Sequence, residues 1–251
     1  TDHYHVLSAP ATPQGHCGTQ IWIAKLFAHR DGTLPIRTSH LRILHQSARK
    51  LIVRLSADGL KLLLIAGHVP CMPDEKAAQS WWCRALHEVP AAYRQWPRIL
   101  LVDANARVGS LTSQAIGSHQ ASEENAHGAM MHQWIVDHHM FAPQTMSEHH
   151  DGEAATFAHA TGAAGRIDFV LLDECFRHPD LRTSVLDIDL AVQRPDHYAV
   201  AADVPMHFWQ CSHRHRISSR RKVNNAAPDT TRIVVSWSTD VHSHAVQLHD
   251  W

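Results

Sequence analysis

The sequence lacks several features that mark specialised classes of protein. No apolar stretch approaches the ~20 residues that span a membrane, so we expect no membrane-spanning helix. The five cysteines are scattered and form no Cys-x-x-Cys pair, which argues against a disulfide framework and against a zinc ribbon. The first residues show no basic start followed by an apolar run, so we expect no signal peptide and an intracellular location.

The chain also has no surplus of either charge. Its formal net charge is -1 with the histidines neutral, so any contact with a phosphate backbone requires a local patch. Basic residues gather in the segment 212–232, where apolar residues are few. We therefore predict a domain over residues 1–205 and a basic, disordered tail over residues 206–251, with a stray strand over 233–237.

Histidine, in contrast, is abundant, with 24 copies among 251 residues. The pairs His138-His139 and His149-His150 are of a type that binds metals, but they lie in polar, turn-rich sequence without a clean ligand spacing. The alternative is compositional drift on a solvated surface. Under either interpretation, the net charge should rise steeply as the pH falls through about 6.5.

Apolar segments rich in β-branched and aromatic residues predict a sheet-rich fold. The predicted strands cover residues 20–27, 41–44, 51–55, 60–66, 98–102, 166–172, 185–190 and 198–204. Helical spacing predicts one helix over residues 74–93 and a second over 122–140, with Ser122 as its cap. Antiparallel runs broken by two helices indicate an α+β fold, a two-layer β-sandwich flanked by helices.

Polar residues stand at the ends of several predicted strands. They are His68, Asp103, Asn105, Asp168, Asp196 and His197. Strand ends of a packed scaffold are where convergent polar sites are built, although Asp103 taken alone would be an ordinary turn residue. An unpaired carboxylate inside a sheet is costly, so Asp168 needs a partner, and a histidine would suit it.

These residues fall in blocks that resemble those of the endonuclease/exonuclease/phosphatase superfamily, which includes deoxyribonuclease I. The blocks are His-Val-Pro at 68–70, Val-Asp-Ala-Asn at 102–105, Thr-Phe at 156–157, Ile-Asp-Phe at 167–169 and Pro-Asp-His at 195–197. Their order and spacing fit the family from about Gly15 to Val204. The Asn-Ala-Arg-Val-Gly run that starts at Asn105 is most similar to endonuclease domains of non-LTR retrotransposons, and a retroelement origin would allow a nuclear location.

The resemblance implies a metal-dependent phosphodiesterase that would act on DNA. Asp168 would orient the imidazole of His197, as carboxylates orient other catalytic histidines. His197 would bind or protonate the scissile phosphate, and Asp103 would align or deprotonate the attacking water. The reaction needs positioning and charge neutralisation more than a protein nucleophile.

The remaining blocks supply supporting roles under the same resemblance. Asn105 would donate a hydrogen bond to a phosphate oxygen, and Thr156 would contact substrate or support the site. Asp196 would lie next to a divalent cation, normally Mg²⁺ or else Mn²⁺. His68 stands where the family usually has a tyrosine, and it can still donate a hydrogen bond.

The chain departs from the family at its start. The family's first strands carry an Asn and a metal-binding Glu, and both precede the segment matched here by residues 15–25. No Glu stands before Gly15, so the resemblance implies a copy that lacks the first strands of the fold. Such a copy would hold Mg²⁺ weakly if at all, and whether it is active stays open.

Two other functions stay open on the sequence. One is a non-catalytic domain that binds nucleic acid or a protein through basic residues of the tail. These are Arg214, Arg216, Arg220, Arg221 and Lys222. The other is a phosphatase of a small soluble phosphate ester, since the superfamily includes phosphatases of lipids and nucleotides.

Overall fold

The computed structural model describes residues 2–13, 17–29, 32–57, 59–159, 162, 164–186, 197–205, 230–237 and 244–249. In chain order, the elements are β1 (Tyr4–Ala9), β2 (Thr19–Ala24), β3 (Leu26–His29), β4 (Gly32–Pro35), β5 (Leu41–Ser47), β6 (Lys50–Ala57), β7 (Leu60–His68), α1 (Glu75–Cys83), β8 (Arg98–Asp103), α2 (Ala126–Asp137), β9 (Met140–Phe141), β10 (His150–Asp151), β11 (Phe157–Ala158), β12 (Ala164–Gly165), β13 (Asp168–Asp173), β14 (Arg182–Leu186), β15 (Ala199–Pro205), β16 (Thr230–Trp237) and β17 (His244–His249).

A six-stranded sheet has the order β5-β6-β7-β8-β13-β9. Strands β5, β6 and β7 form an antiparallel meander, whereas β7 and β8 are parallel and are joined through α1. A parallel pair needs such a crossover because its strands run in the same direction. Strands β8 and β13 are buried along almost their whole length, as expected for strands that are covered on both faces.

A seven-stranded sheet has the order β1-β2-β17-β16-β15-β14-β10. Strand β1 has no counterpart in the sequence prediction, and the predicted strand over 20–27 is two strands, β2 and β3, separated at Lys25. Strands β16 and β17 come from the predicted tail, and they pair with β15 and β2. Strand β16 contains the stray strand predicted over 233–237, whereas β17 has no counterpart in the sequence prediction. The division of the chain at residue 205 stays a prediction.

The two sheets pack face to face around one core. Strand β2 lies against β6 and β7, and β15 lies against β13. One apolar cluster joins residues of both sheets, such as Ile21 and Val200 from one and Leu64 and Val170 from the other. The α+β two-layer sandwich predicted from the sequence is confirmed.

The helices cover the outer face of the six-stranded sheet. A Cβ added at Gly67 of β7 would lie 2.5 Å from a ring atom of Trp81, so only glycine lets α1 approach β7 this closely. The rings of Trp82 and Trp134 meet at 5.1 Å and join α1 to α2. None of the helices in the described part of the chain has the length and apolar character needed to cross a membrane.

Both helices begin at side-chain caps, and both are shorter than predicted. Asp74 caps α1 by accepting from the backbone N–H of Ala77. Asn125, and not Ser122, caps α2, and its Oδ1 accepts from the N–H of Gly128 at 2.7 Å. The predicted helix over 74–93 stops at Cys83, well before Pro90.

Candidate active site

His68, Asp103 and Asp168 lie in one row across three neighbouring strands. Asp103 is the last residue of β8, and it is paired with His68 at the end of β7 and with Asp168 at the start of β13. Residues paired in register project from the same face of a sheet. Three segments that are far apart in sequence therefore deliver their polar side chains to one edge of the sandwich.

Asp168 holds the imidazole of His197. The Asp168 carboxylate is fully buried, and its Oδ2 lies 3.0 Å from Nδ1 of His197, whose side chain is 17% exposed. The ring of Phe157 meets the imidazole edge-on at 5.0 Å and restricts it further. With Nδ1 directed at the carboxylate, Nε2 is the ring atom left to act on a substrate.

Asp103 completes a compact cluster with this pair. One ligand atom from each of Asp103, Asp168 and His197 lies within 4.8 Å of the others. Burial and, after it, the negative charge of Asp168 raise the pKa of Asp103 to about 8, while His197 acts in the opposite direction. Nε2 of His68 lies 3.6 Å from the Oδ2 of Asp103.

Asn105 ties the loop after β8 to the loop after β7. Its backbone is in the left-handed region with φ 48°, a conformation that asparagine tolerates better than most residues. Its backbone N–H donates to Oδ1 of Asp103 at 3.1 Å, and its Nδ2 donates to the carbonyl of Val69 at 2.9 Å. The second bond uses one of the two amide hydrogens, so the other is compatible with the predicted phosphate contact.

Thr156 supports the site from beneath it. Its side chain is fully buried, and its Oγ1 accepts from the backbone N–H groups of Ile167 and Asp168, both at 3.0 Å. The predicted substrate contact does not fit this burial, because no surface of the residue is open to a ligand. The supporting role that the sequence left open fits instead.

The remaining predicted candidates lie outside the described residues or in other hydrogen-bonded positions. Asp196 lies outside the described residues, as do the basic residues proposed for the tail. His149 and His150 are buried, and each shares a hydrogen bond through Nδ1, with the carbonyl of Leu181 and with Oγ1 of Thr183 respectively. In the described part of the chain, Asp103, Asp168 and His197 form the group of three such side chains with metal-ligand geometry, and neither histidine pair belongs to it.

Sequence reasoning missed the buried Arg166, which stands directly before the Ile-Asp-Phe block. Its guanidinium donates to the carbonyls of His119 at 2.7 Å and of Gln144. Burial lowers its pKa to about 10. The sequence signal for Arg166 was its position two residues before the buried Asp168. Its burial could not be predicted from this, because its carbonyl partners belong to loops that are distant in sequence.

Solved structures with a similar fold include three of known class. The endonuclease domain of TRAS1, a telomere-specific non-LTR retrotransposon, has a TM-score of 0.49 and 15% identity, with 80% of this chain and 81% of that chain covered. The 3′-5′ exonuclease NExo of Neisseria meningitidis has a TM-score of 0.48 and 14% identity, with 81% and 80% covered. An endonuclease/exonuclease/phosphatase family protein of Leptotrichia buccalis has a TM-score of 0.46 and 13% identity, with 81% and 72% covered.

These structures agree with the resemblance that the sequence blocks predicted. No protein-family model and no curated protein matches the chain. At such low identities and TM-scores, nothing about the chemistry of this chain follows from the likeness. The chemistry has to come from the atoms of the site.

Proposed function

We propose that this chain is a metal-dependent phosphodiesterase that cleaves DNA, a member of the endonuclease/exonuclease/phosphatase family of retroelement origin. The observation that carries the proposal is the cluster of Asp103, Asp168 and His197, with their ligand atoms within 4.8 Å of one another at one edge of the sandwich. Two carboxylates and an oriented imidazole are what phosphodiester hydrolysis needs to activate water and to stabilise the developing charge.

In this proposal each residue has a defined task. Asp168 fixes the tautomer and direction of His197, so that Nε2 meets the scissile phosphate. Asp103 aligns the attacking water or takes a proton from it, because its carboxylate lies within 4.8 Å of the imidazole that meets the phosphate. Asn105 positions the phosphate through its second amide hydrogen.

The donor set fits a divalent cation of the magnesium type. Asp103 and Asp168 offer hard carboxylate oxygens, which Mg²⁺ and Mn²⁺ prefer. The raised pKa of Asp103 results from burial and from a second carboxylate nearby, an arrangement that positive charge would relieve. A bound cation would supply electrophilic stabilisation of the phosphate and the leaving oxygen.

Nicking of supercoiled plasmid in Mg²⁺ tests the proposal. We expect His197→Ala and Asp168→Asn to lower the nicking rate by about a hundredfold or more, since both remove the oriented imidazole. His87 is exposed and lies in a cleft with Leu63 and Arg98, near the beginnings of β7 and β8 and away from this edge, so His87→Ala should nick like the wild type. Chelation of the metal should stop the reaction in every variant.

Two results would count against the proposal. If the wild type nicks no faster than His197→Ala, the cluster is not a catalytic centre for DNA. If the wild type instead releases phosphate from a small phosphate ester and leaves plasmid intact, the site is a phosphatase, and the DNA assignment is wrong.

A further inference from the structure

The row of polar residues at the candidate active site extends one strand further, to Arg49. The backbone N–H of His68 donates to the carbonyl of Arg49 at 2.9 Å, which continues the ladder beyond the pair of Lys50 and Gly67. Arg49 is the last residue of the turn before β6. The row therefore consists of Arg49 just before β6, His68 of β7, Asp103 of β8 and Asp168 of β13.

The neighbouring residue shows which way Arg49 points. Nζ of Lys50 donates to the carbonyl of Arg84 and to Oε2 of Glu88, both at 2.6 Å, on the face covered by α1. Successive side chains of a strand alternate between faces, so Arg49 projects to the opposite face, which it shares with His68 and Asp103. Consistent with this direction, Arg49 is among the positive groups that oppose the rise in the pKa of Asp103 that burial causes.

The guanidinium of Arg49 has hydrogen-bonding capacity that the described residues do not use. Its Nη1 is buried and has no hydrogen-bond partner among them. A buried donor without an acceptor is unfavourable, and a guanidinium presents its donors in a fork that matches phosphate oxygens. The residue as a whole is half-buried, so a ligand at the site can still reach it.

The charges of the cluster explain why a permanent cation is needed there. Asp103 and Asp168 are acidic and a phosphodiester is anionic, while His68 and His197 are cationic only when protonated. Arg166 is buried and donates to backbone carbonyls of two loops, so it is not available to a substrate. Arg49 supplies a guanidinium, the side-chain cation that suits phosphate recognition.

We propose that Arg49 is a substrate-binding residue, whose guanidinium contacts a non-bridging oxygen of the phosphodiester held between Asp103 and His197. This inference rests on the proposed function, because it assumes that a phosphodiester occupies this edge. It assigns the electrostatic anchor of the substrate to a residue in the turn that precedes β6.

Binding of a fluorescein-labelled DNA duplex in EDTA, followed by anisotropy over a range of salt, tests Arg49 without requiring cleavage. Arg49→Gln should weaken binding about tenfold and lower the slope of log affinity against log salt by about 1. Arg49→Lys should keep the slope and lose part of the affinity, since it retains the charge but not the fork. Arg42 is an exposed arginine of β5, and Arg42→Gln should change affinity less than twofold.

The outcomes separate this inference from the proposed function. If the wild type binds the duplex but does not nick plasmid, the phosphodiesterase proposal fails, and the loss of binding on Arg49→Gln still decides the role of Arg49. If Arg49→Gln and Arg42→Gln have the same affinity and salt slope, Arg49 is not the anchor. Absence of measurable binding by the wild type would also overturn it. Should Arg49→Gln not fold, Arg49→Lys decides: partial loss of affinity supports the anchor, and an affinity equal to that of the wild type overturns it.

Discussion

Replacement of Thr156 by valine should damage both the stability of the fold and the candidate site. Valine has nearly the shape of threonine, so the packing around residue 156 is retained while the hydroxyl is lost. The hydroxyl accepts from the backbone N–H groups of Ile167 and Asp168, at 3.0 Å each. Thr156→Val therefore leaves two donors without their acceptor, and the donor of Asp168 belongs to a fully buried residue.

The size of the effect follows from those two bonds. A buried donor left without an acceptor costs about 1–3 kcal/mol, and the partly buried donor of Ile167 adds a smaller amount. This is a large part of the 5–15 kcal/mol that is typical for unfolding a domain. The site should suffer as well, because Ile167 accepts from the N–H of Ala104 at 2.8 Å, and so connects Thr156 to the strand end at Asp103. We expect the nicking rate to fall at least about tenfold.

Urea unfolding followed by tryptophan fluorescence would measure the change, since the chain has eight tryptophans. Thr156→Ser is the matched control, because it keeps the acceptor and loses only a methyl group, worth about 1 kcal/mol. The serine variant should therefore be clearly more stable than the valine variant. If Thr156→Val unfolds within about 0.5 kcal/mol of the wild type, the two hydrogen bonds do not hold the site as described.

Two further predictions concern buried histidines. The ring nitrogens of His127 are buried without a hydrogen-bond partner among the described residues. His127→Leu should therefore raise the free energy of unfolding, measured by urea titration, by about 1 kcal/mol. A decrease in that free energy would contradict this. Burial lowers the pKa of His149 and of His150 below 6.5, so the unfolded chain binds protons more readily. The stability that they contribute is complete above pH 6.5 and is lost as the pH falls towards their folded-state values. The drop in urea midpoint between about pH 7.5 and about pH 5.5 should thus be smaller in His150→Asn than in the wild type or in His87→Asn, and equal drops would refute the assignment.

Local pattern was sufficient to predict most of the strands and the convergence of the site. Apolar runs such as the one around Leu100 can be satisfied only by burial in a sheet, so β6, β7, β8 and β13 were predicted close to their observed positions. The prediction that Asp168 needs a histidine partner followed from the cost of burying a lone carboxylate, and His197 fills that role at 3.0 Å. Two of the polar blocks that are separate in sequence, those of Asp168 and His197, are thus in contact in the fold.

Local pattern was weaker at the helices. The helical spacing of Ala126, Met130 and Trp134 predicts one buried face, and Trp134 is buried, but Ala126 is exposed and Met131 is buried instead. A helix of twelve residues offers few turns over which such a pattern can average. Which of several capping residues starts the helix also depends on where the preceding loop is held, and this favoured Asn125.

The burial of Thr156 and the position of Arg49 could not be derived from the sequence alone. In the sequence Thr156 is one polar residue of the Thr-Phe block, whereas in the fold it is fully buried beneath the site. Arg49 joins the site because pairing between β6 and β7 places it beside His68, and the raised pKa of Asp103 requires both burial and the nearby Asp168. Register and burial arise from contacts between residues that are distant along the chain, so they exist only once the sheets have formed.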